Sequence, residues 1–219
     1  VDILVKGKGG HGAAPHTTID PIVIAARIVL DLQTLVSREN NPLDPAVVTV
    51  GSIHGGTKHN IIPSEVKMQL TVRSTRDDVR KRLLEGIDRI AKAAALAAKA
   101  PEPVVTVRLD NFTPALYNTA DLARKTAKVF KAALGSDNVI QQEPLLGGED
   151  FARYILEGVP GFFFFLGTLP PERVQAMRLG KAPPISLHSD VYFPIPEPTI
   201  RTGVLSMSLA AWNLLAEPR

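Results

Sequence analysis

Hydrophobic periodicity in the first 111 residues constrains the fold of this chain more than any other feature of its sequence. Apolar and polar residues alternate, as in half-buried strands, in four segments: residues 1–7, 46–56, 64–74 and 103–112. Two further segments, residues 20–38 and 77–99, carry apolar residues at helical spacing. The order strand, helix, strand, strand, helix, strand predicts a ferredoxin-like domain, a four-stranded antiparallel sheet with two helices on one face. The other face, or an edge strand, then needs a cover, and a dimer partner is the simplest one.

Local signals mark where these helices begin. Asp20 followed by Pro21 is typical of an N-cap and a first helical turn. Ser74 or Thr75 is expected to cap the second helix. The strand before that helix should direct one set of alternating apolar side chains to the core: Val66, Met68, Leu70 and Val72.

The second half of the chain has a different pattern. Residues 118–134 predict a helix that ends at Gly135, and residues 198–216 predict a final helix. Short strands are expected at residues 138–144 and at the phenylalanine run 162–167, which should be fully buried. A proline-rich stretch before the final helix predicts a long loop. Helices thus alternate with only two or three strands.

A parallel sheet of two or three strands is not stable by itself. We therefore expect the missing strands to come from an N-terminal part that precedes this chain, since Val1 opens directly into a strand pattern. The sequence predicts an α/β chain of two domains, residues 1–111 and residues 112–219.

Composition excludes several classes of function. The chain lacks cysteine, which rules out a disulfide framework and any thiolate metal ligand. The net charge is +3 and basic residues mostly alternate with acidic ones, so a nucleic-acid surface is not indicated. No apolar run approaches the roughly 18 residues that a membrane span needs. We expect a cytoplasmic protein that binds neither nucleic acid nor membrane.

Two glycine-rich loops carry four of the five histidines. One loop, residues 5–16, places His11 among glycines and ends at His16, and the other, residues 51–63, contains Asn60. Glycines allow a loop to extend towards a ligand, so His11 could donate to a developing oxyanion, whereas His16 would orient the loop by a hydrogen bond. Asn60 could bind a polar substrate group, although asparagine is also common in turns. For any single histidine, a surface or hydrogen-bonded core position is the alternative.

Three further residues could bind a ligand. Arg73 ends the third strand, where its guanidinium could bind a carboxylate or pair with an acid at the sheet edge. Gly147 and Gly148 indicate a ligand close to the backbone, while the acids after them are explained by the helix dipole. His188 lies in a loop after the expected buried strand and could ligate a metal, with a zinc–nitrogen distance of about 2 Å. One histidine does not make a metal site, and no HExxH motif accompanies it.

Five stretches follow one another over nearly the whole chain: residues 5–22, 32–63, 70–80, 147–167 and 187–195. In this order they resemble the dinuclear metallo-aminoacylase and carboxypeptidase family. They are most similar to its amidohydrolase branch, which includes hippurate hydrolases, N-acyl-amino-acid amidohydrolases and auxin-conjugate hydrolases. The resemblance implies a lid or dimerisation domain in the first half and the C-terminal part of a metallopeptidase catalytic domain in the second.

The resemblance also implies roles for five residues. His11 would reach across a dimer and stabilise the tetrahedral intermediate in the partner's site. Asn60 and Arg73 would hold the substrate at its carboxylate end, and Gly148 would lie beside the substrate. His188 would be the last metal ligand. The implied reaction is hydrolysis of the amide bond of an N-acyl amino acid or small peptide by a homodimer.

The same resemblance implies a cofactor whose other ligands lie outside this chain. The family binds two divalent ions, such as zinc, manganese, cobalt or nickel, and its other metal ligands and its glutamate general base precede the lid. Since this chain begins after them, we expect it to bind no metal pair and to be inactive alone.

The rival hypothesis is a non-catalytic dimeric module that binds a small regulatory ligand, such as an amino acid. An RNA-binding version of the same sheet is disfavoured, because residues 46–52 and 66–72 lack the aromatic side chains on which bases stack.

Overall fold

The computed structural model of this chain describes residues 1–109 and 112–216. These residues form two compact units. Among the described residues, unit 1 contains residues 1–109, 112–115 and 144–150, and unit 2 contains residues 116–143 and 151–216. The domain boundary expected after residue 111 falls at residues outside the described part, so it stays a prediction.

Unit 1 has the predicted order of strands and helices, with two short strands added. Its elements are β1 (Asp2–Lys6), β2 (Gly10–His11), α1 (Pro21–Thr34), β3 (Ala46–His54), β4 (Ile61–Ile62), β5 (Glu65–Ser74), α2 (Asp77–Ala97) and β6 (Val104–Thr106). Four of the strands form an antiparallel sheet in the order β3-β5-β1-β6. The ferredoxin-like sheet with two helices is therefore confirmed. The fourth strand is shorter than expected, and the prediction that it runs through residues 110 and 111 lies outside the described part.

The core of unit 1 lies between the sheet and the two helices. Val66 and Met68 on β5 are 1% exposed, and Ile28 on α1 and Ile87 on α2 are fully buried. The neighbours of Val66 and Met68 along β5 are exposed to solvent, because successive side chains of a strand lie on opposite faces. The alternating pattern of β5 is confirmed, with Val72 only half buried.

One of the two predicted helix caps is confirmed and the other is wrong. The Asp20 side chain accepts a hydrogen bond from the Ile22 N–H at 2.9 Å, as expected for an N-cap. At α2 the N-cap is Arg76, and neither Ser74 nor Thr75 occupies that position. The Ser74 hydroxyl instead donates to the Arg76 carbonyl oxygen. Two aspartates in the first turn of α2 supply the negative charge that favours a helix N-terminus.

The outer face of the sheet carries a ladder of polar side chains. Ser52 donates to the Gln69 side-chain oxygen at 3.0 Å, and the Gln69 amide donates to Asp2 at 3.2 Å. Arg108 donates to the other oxygen of the Asp2 carboxylate at 2.6 Å. These bonds satisfy the polar groups of the ladder without a protein cover.

Unit 2 is helical in the described residues. Its helices are α3 (Ala120–Leu134), α4 (Ala152–Leu156), α5 (Pro171–Arg178) and α6 (Pro196–Ala216). Gly135 ends α3 with a φ of 89°, a conformation that glycine adopts without a steric penalty. The predicted loop before α6 contains α5, which begins with Pro171 in its first turn.

The two strands expected in this half are wrong for the described residues. Residues 138–144 form no strand, and neither does the phenylalanine run. Phe163 forms two hydrogen bonds with the Asn118 side-chain amide, at 2.7 and 2.8 Å, where a strand would bond to a neighbouring backbone. The run is also not fully buried, because Phe165 is 61% exposed. The prediction failed because the apolar character of this segment does not show whether a second strand lies beside it.

One side of the phenylalanine run packs against an aromatic ring of α3. The Phe130 ring of α3 lies 6.1 Å from Phe162 and 5.2 Å from Phe164, measured between ring centroids. By contrast, Trp212 and Leu215 of α6 are 73% and 82% exposed. Unit 2 therefore has a small core and a large apolar surface. None of the helices in the described part of the chain combines the length and apolar character that a membrane span requires.

The Asp2 ladder predicts a pH dependence of stability. Hydrogen bonds from Arg108 and Gln69 lower the pKa of Asp2 below its ordinary value of 3.8. A lowered pKa in the folded state stabilises the fold above pH 3.8, and this contribution is lost as the pH falls through the lowered value. We expect Asp2→Asn to be less stable than the wild type near neutral pH, with a difference that shrinks in acid. Urea unfolding against pH measures this, and Arg108→Gln should reproduce it. A difference independent of pH would contradict the prediction.

Close helix packing predicts a second stability effect. A Cβ atom added at Gly86 of α2 would overlap a methyl group of the buried Leu35. Alanine favours a helix over glycine by about 1 kcal/mol, whereas overpacking a core costs about 1–3 kcal/mol. We expect Gly86→Ala to lower the free energy of unfolding by about 1 kcal/mol in urea unfolding. The same change in a Leu35→Ala background should be neutral or stabilising, and an equal cost in both backgrounds would exclude this contact.

Candidate functional site

The two glycine-rich loops meet in a short antiparallel ribbon of β2 and β4. His11 pairs with Ile61 in this ribbon. The Gly12 N–H donates to the carbonyl oxygen of Asn60 at 2.8 Å. The structure therefore brings His11 and Asn60 together, and we call these two residues the ribbon pair.

The ribbon continues the central β1–β5 ladder with one extra residue. Lys6 pairs with Glu65 at the end of that ladder, and Gly10 pairs with Ile62 in the ribbon. Four steps along the chain separate Lys6 from Gly10, whereas three separate Ile62 from Glu65, as in a β-bulge. The ribbon pair thus lies beyond the end of the sheet at which β5 begins.

The glycines of the ribbon serve close packing rather than flexibility. A Cβ atom at Gly9 would lie 2.8 Å from the Ile62 carbonyl oxygen, and one at Gly12 would lie 3.0 Å from that of Asn60. Neither glycine has a positive φ. The missing side chains of these glycines let two backbones approach each other. The expectation that the loop extends towards a ligand stays a prediction.

The imidazole of His11 is exposed and oriented by its own loop. The Ala13 N–H donates to Nδ1 of His11 at 3.1 Å, and the Ala14 N–H donates to the His11 carbonyl oxygen at 2.9 Å. An Nδ1 that accepts a hydrogen bond leaves the proton of the neutral ring on Nε2. His11 therefore presents an N–H donor to solvent, which suits the stabilisation of an oxyanion.

His16 does not have the orienting role expected for it. It lies exposed in a single 3-10 turn, Pro15–Thr17, and its side chain makes no hydrogen bond to any residue that the structure describes. The hydroxyls of Thr17 and Thr18 close this turn by donating to the carbonyl oxygens of Ala14 and Pro15. Hydroxyls bond to nearby backbone more readily than an imidazole, because their side chain is shorter.

Arg73 lies near the end of β5 on the outer face of the sheet, opposite Val47 of β3. Its guanidinium is exposed and forms no ion pair with an acid in residues 1–109 or 112–216. The nearby Arg76, in contrast, pairs with Asp44 and Asp78. The alternative, an arginine paired with an acid at the sheet edge, is therefore wrong for the described part. The N–H groups of the guanidinium are available to bind a carboxylate.

Gly148 lies against this guanidinium. A Cβ atom at Gly148 would lie 3.0 Å from Nη1 of Arg73 and 3.8 Å from the Thr113 hydroxyl oxygen. The segment that carries Thr113 is held by Phe112, whose ring lies 4.4 Å below the Arg80 guanidinium. The structure therefore also brings Arg73 and Gly148 together, and we call these two residues the strand-end pair.

The two pairs lie at opposite ends of β5. The ribbon pair is beyond Glu65, and Arg73 is eight residues further along the strand. At about 3.3 Å per residue, roughly 26 Å of strand lies between Glu65 and Arg73. One copy of the chain therefore separates the residues that the sequence predicts for one site into two groups.

His188 belongs to unit 2, in an irregular segment between α5 and α6 rather than after a buried strand. Its side chain is exposed, and its backbone N–H donates to the Ser186 hydroxyl oxygen at 3.3 Å. No group of three or more histidine, aspartate or glutamate side chains within the described residues could hold a metal ion. A single exposed imidazole fits one position of a metal site whose other ligands lie elsewhere.

Comparison with known proteins gives the family. Residues 1–99, which include three of the four strands of the sheet, both helices of unit 1 and the ribbon, match the family model of the M20 peptidase dimerisation domain. The chain carries the dimerisation domain of the M20 peptidase family. Residues 100–219 lie outside that match.

Relatives of the M20 domain are hydrolases. The chain is 38% identical over 172 residues to thermostable carboxypeptidase 2 of Saccharolobus solfataricus, covering 76% of this chain and 41% of that protein. It is 40% identical over 171 residues to N-acetyl-L-cysteine deacetylase of Bacillus subtilis, covering 75% of this chain and 38% of that protein. The chain thus spans about two fifths of the length of these curated relatives.

A solved structure resembles nearly the whole chain. The YXEP protein of Bacillus subtilis, described as a dinuclear metal-binding peptidase of the M20 family, matches with a TM-score of 0.67 and 25% identity. The match covers 98% of this chain and 48% of that protein. The likeness therefore extends beyond the M20 domain into unit 2.

Sequence reasoning missed two groups that lie at the candidate site. Ala13 acts through its backbone N–H, and Thr113 is a single hydroxyl in an irregular segment. Neither belongs to a motif that indicates chemistry. The signal available for Ala13 was its position two residues after His11, from which a backbone N–H can reach an Nδ1 acceptor.

The Ala13 bond predicts the tautomer of His11. We expect nitrogen NMR of the chain, at a pH where imidazoles are neutral, to show His11 protonated at Nε2, because Nδ1 accepts from Ala13. His16 makes no such bond within the described residues and serves as the control, with a mixture of tautomers. Protonation of His11 at Nδ1 would show that this loop has another arrangement in solution.

Proposed function

We propose that this chain is part of a metal-dependent amidohydrolase that cleaves the amide bond of N-acyl amino acids or small peptides. Its M20 domain would form a homodimer, and residues 112–219 would belong to the catalytic domain. Two relatives support this class of substrate, since one is named a carboxypeptidase and the other an N-acetyl-L-cysteine deacetylase. The chain by itself would be inactive, because no three histidine, aspartate or glutamate side chains of the described residues are grouped to hold a metal ion.

The separation of the ribbon pair from the strand-end pair carries this proposal. An N-acyl amino acid spans roughly 7–10 Å, far less than the length of β5 between the two pairs. One such substrate cannot contact both pairs of a single copy. A dimer solves this problem if His11 and Asn60 of the partner subunit approach the substrate that Arg73 holds.

The geometry of each pair fits its proposed role. Arg73 would bind the substrate carboxylate by paired N–H donors, which explains why its guanidinium has no acidic partner in the described residues. His11 of the partner subunit would donate its Nε2 proton to the oxyanion that forms when water attacks the acyl carbon. Asn60 would hold the polar end of the substrate beside it.

A divalent metal centre completes the proposed chemistry. His188 would be the ligand from this chain, and zinc, manganese, cobalt or nickel are the candidate ions. When bound, such a pair of ions activates water and polarises the scissile carbonyl. The structural likeness to a dinuclear metal-binding peptidase supports this assignment.

The edge of the sheet supports dimerisation. β3 is an edge strand of nine residues, from Ala46 to His54, whose outer backbone groups have no strand partner in the described residues. Apolar side chains are exposed to solvent on this strand, Ile53 at 46%, and on α1, Val23 at 57% and Leu30 at 70%. An unpaired edge with exposed apolar residues favours association with a second copy.

A complementation experiment tests the dimeric site. In the complete protein that contains this chain, we expect His11→Ala and Arg73→Ala each to lower kcat/KM on an N-acyl amino acid by about 100-fold. Mixed dimers of the two variants should recover activity, because one of their two sites would have both residues intact. Random mixing in equal amounts should give about a quarter of the wild-type activity.

The controls distinguish the alternatives. Each variant alone, subjected to the same dissociation and mixing, should stay inactive. If His11 acts within its own copy, the mixture will have no more activity than the average of the two variants. Unchanged kcat/KM in His11→Ala would remove His11 from the mechanism altogether.

A further inference from the structure

The contact between Gly148 and Arg73 has a consequence for substrate preference. We infer that Gly148 is a positioning residue, whose missing side chain determines where the Arg73 guanidinium can lie and thereby sets the preference for a substrate carboxylate. This inference rests on the proposed function, in which Arg73 binds that carboxylate.

Arg73 depends on this contact because the described residues offer its guanidinium no other strong anchor. Arg76, Arg89 and Arg108 are each held by a carboxylate, at N–O distances between 2.6 and 3.1 Å. Arg73 has no hydrogen-bond or ion-pair partner in residues 1–109 and 112–216. Its backbone is fixed by pairing with β3, but its long side chain is positioned only by what it packs against.

The space beside Gly148 is already used by Arg73. An added Cβ atom would lie 3.0 Å from Nη1 and 3.9 Å from Cζ of the guanidinium. The first distance is shorter than an ordinary carbon–nitrogen contact, so the guanidinium would have to move by a few tenths of an ångström. The fold would tolerate this shift, because the end of an arginine side chain is flexible.

A bidentate pair between arginine and carboxylate tolerates such a shift less well. Both N–H groups must align with both oxygens, and a shift of a few tenths of an ångström takes up much of the tolerance of about 0.5 Å that a functional group has around its productive position. A side chain at residue 148 should therefore weaken carboxylate binding without unfolding the domain. A valine should do so more than an alanine, since it extends further towards the guanidinium.

Gly147 provides a matched control in the same segment. A Cβ atom at Gly147 would have no atom within 4 Å apart from its chain neighbours. Both glycines precede α4 and neither has a positive φ. Gly147→Ala thus changes the flexibility of the backbone as much as Gly148→Ala does, without touching Arg73.

The experiment compares two substrates in the complete protein. One is an N-acetyl amino acid with a free carboxylate, and the other is the same compound with that carboxylate converted to the primary amide. The ratio of their kcat/KM values measures carboxylate preference. We expect Gly148→Ala to lower this ratio by about 3- to 10-fold and Gly148→Val to lower it further, mainly through a higher KM for the acid.

The controls separate positioning from a general defect. Gly147→Ala should keep the wild-type ratio, and Arg73→Ala should lose the preference. In an Arg73→Ala background, Gly148→Ala should have no further effect on the ratio, because residue 148 acts through Arg73. Loss of kcat on both substrates alike would overturn the inference.

The outcomes also distinguish this inference from the proposed function. If Arg73→Ala loses the preference and Gly148→Ala keeps it, Gly148 has no positioning role, while the assignment of Arg73 stands. If Arg73→Ala keeps the preference, Arg73 does not bind the carboxylate, and both the assignment and the inference are wrong.

Discussion

The pairing of β1 with β5 at the centre of the sheet determines where the candidate functional residues lie. Its register joins Asp2 to Gln69 and Lys6 to Glu65, and the same ladder continues through one extra residue into the ribbon that carries His11. A shift of this register by one residue would turn the buried side chains of β5 to solvent. Burial of those side chains therefore holds both the fold and the position of His11.

The same strand separates two kinds of chemistry. Beyond the start of β5 lies the His11 imidazole, whose free nitrogen is a donor. Near the end of β5 lies the Arg73 guanidinium, which has no acidic partner in the described residues. Between them, the outer face of the sheet is a ladder of satisfied polar groups. Under the proposed function, this distribution would let a dimerisation domain also take part in catalysis. A single copy offers the two groups too far apart for a small substrate, and two copies of the domain can bring unlike ends together.

Prediction from the sequence succeeded where local patterns and tertiary packing agree. The alternation of Val66, Met68 and Leu70 gave the right strand and the right buried face, and Asp20 gave the right cap. It failed at the phenylalanine run, where apolar character is compatible with a strand only if other strands lie alongside. It also did not reveal the packing role of the glycines, because a sequence does not distinguish a glycine that bends from one that lets a neighbour approach, as Gly12 does with Asn60. Residue type and motif gave the candidate residues but not how the fold groups them.

The sequence by itself determined the split order of strands and helices, the set of candidate residues and the resemblance to a family of metal-dependent hydrolases. These depend on periodicity, composition and short motifs, which are local properties. Only the tertiary structure decided that His11 lies beside Asn60, that Gly148 touches Arg73 and that the two pairs are at opposite ends of β5. The reason is physical: strand register and backbone contact join residues far apart in the chain, and both depend on how the whole core packs.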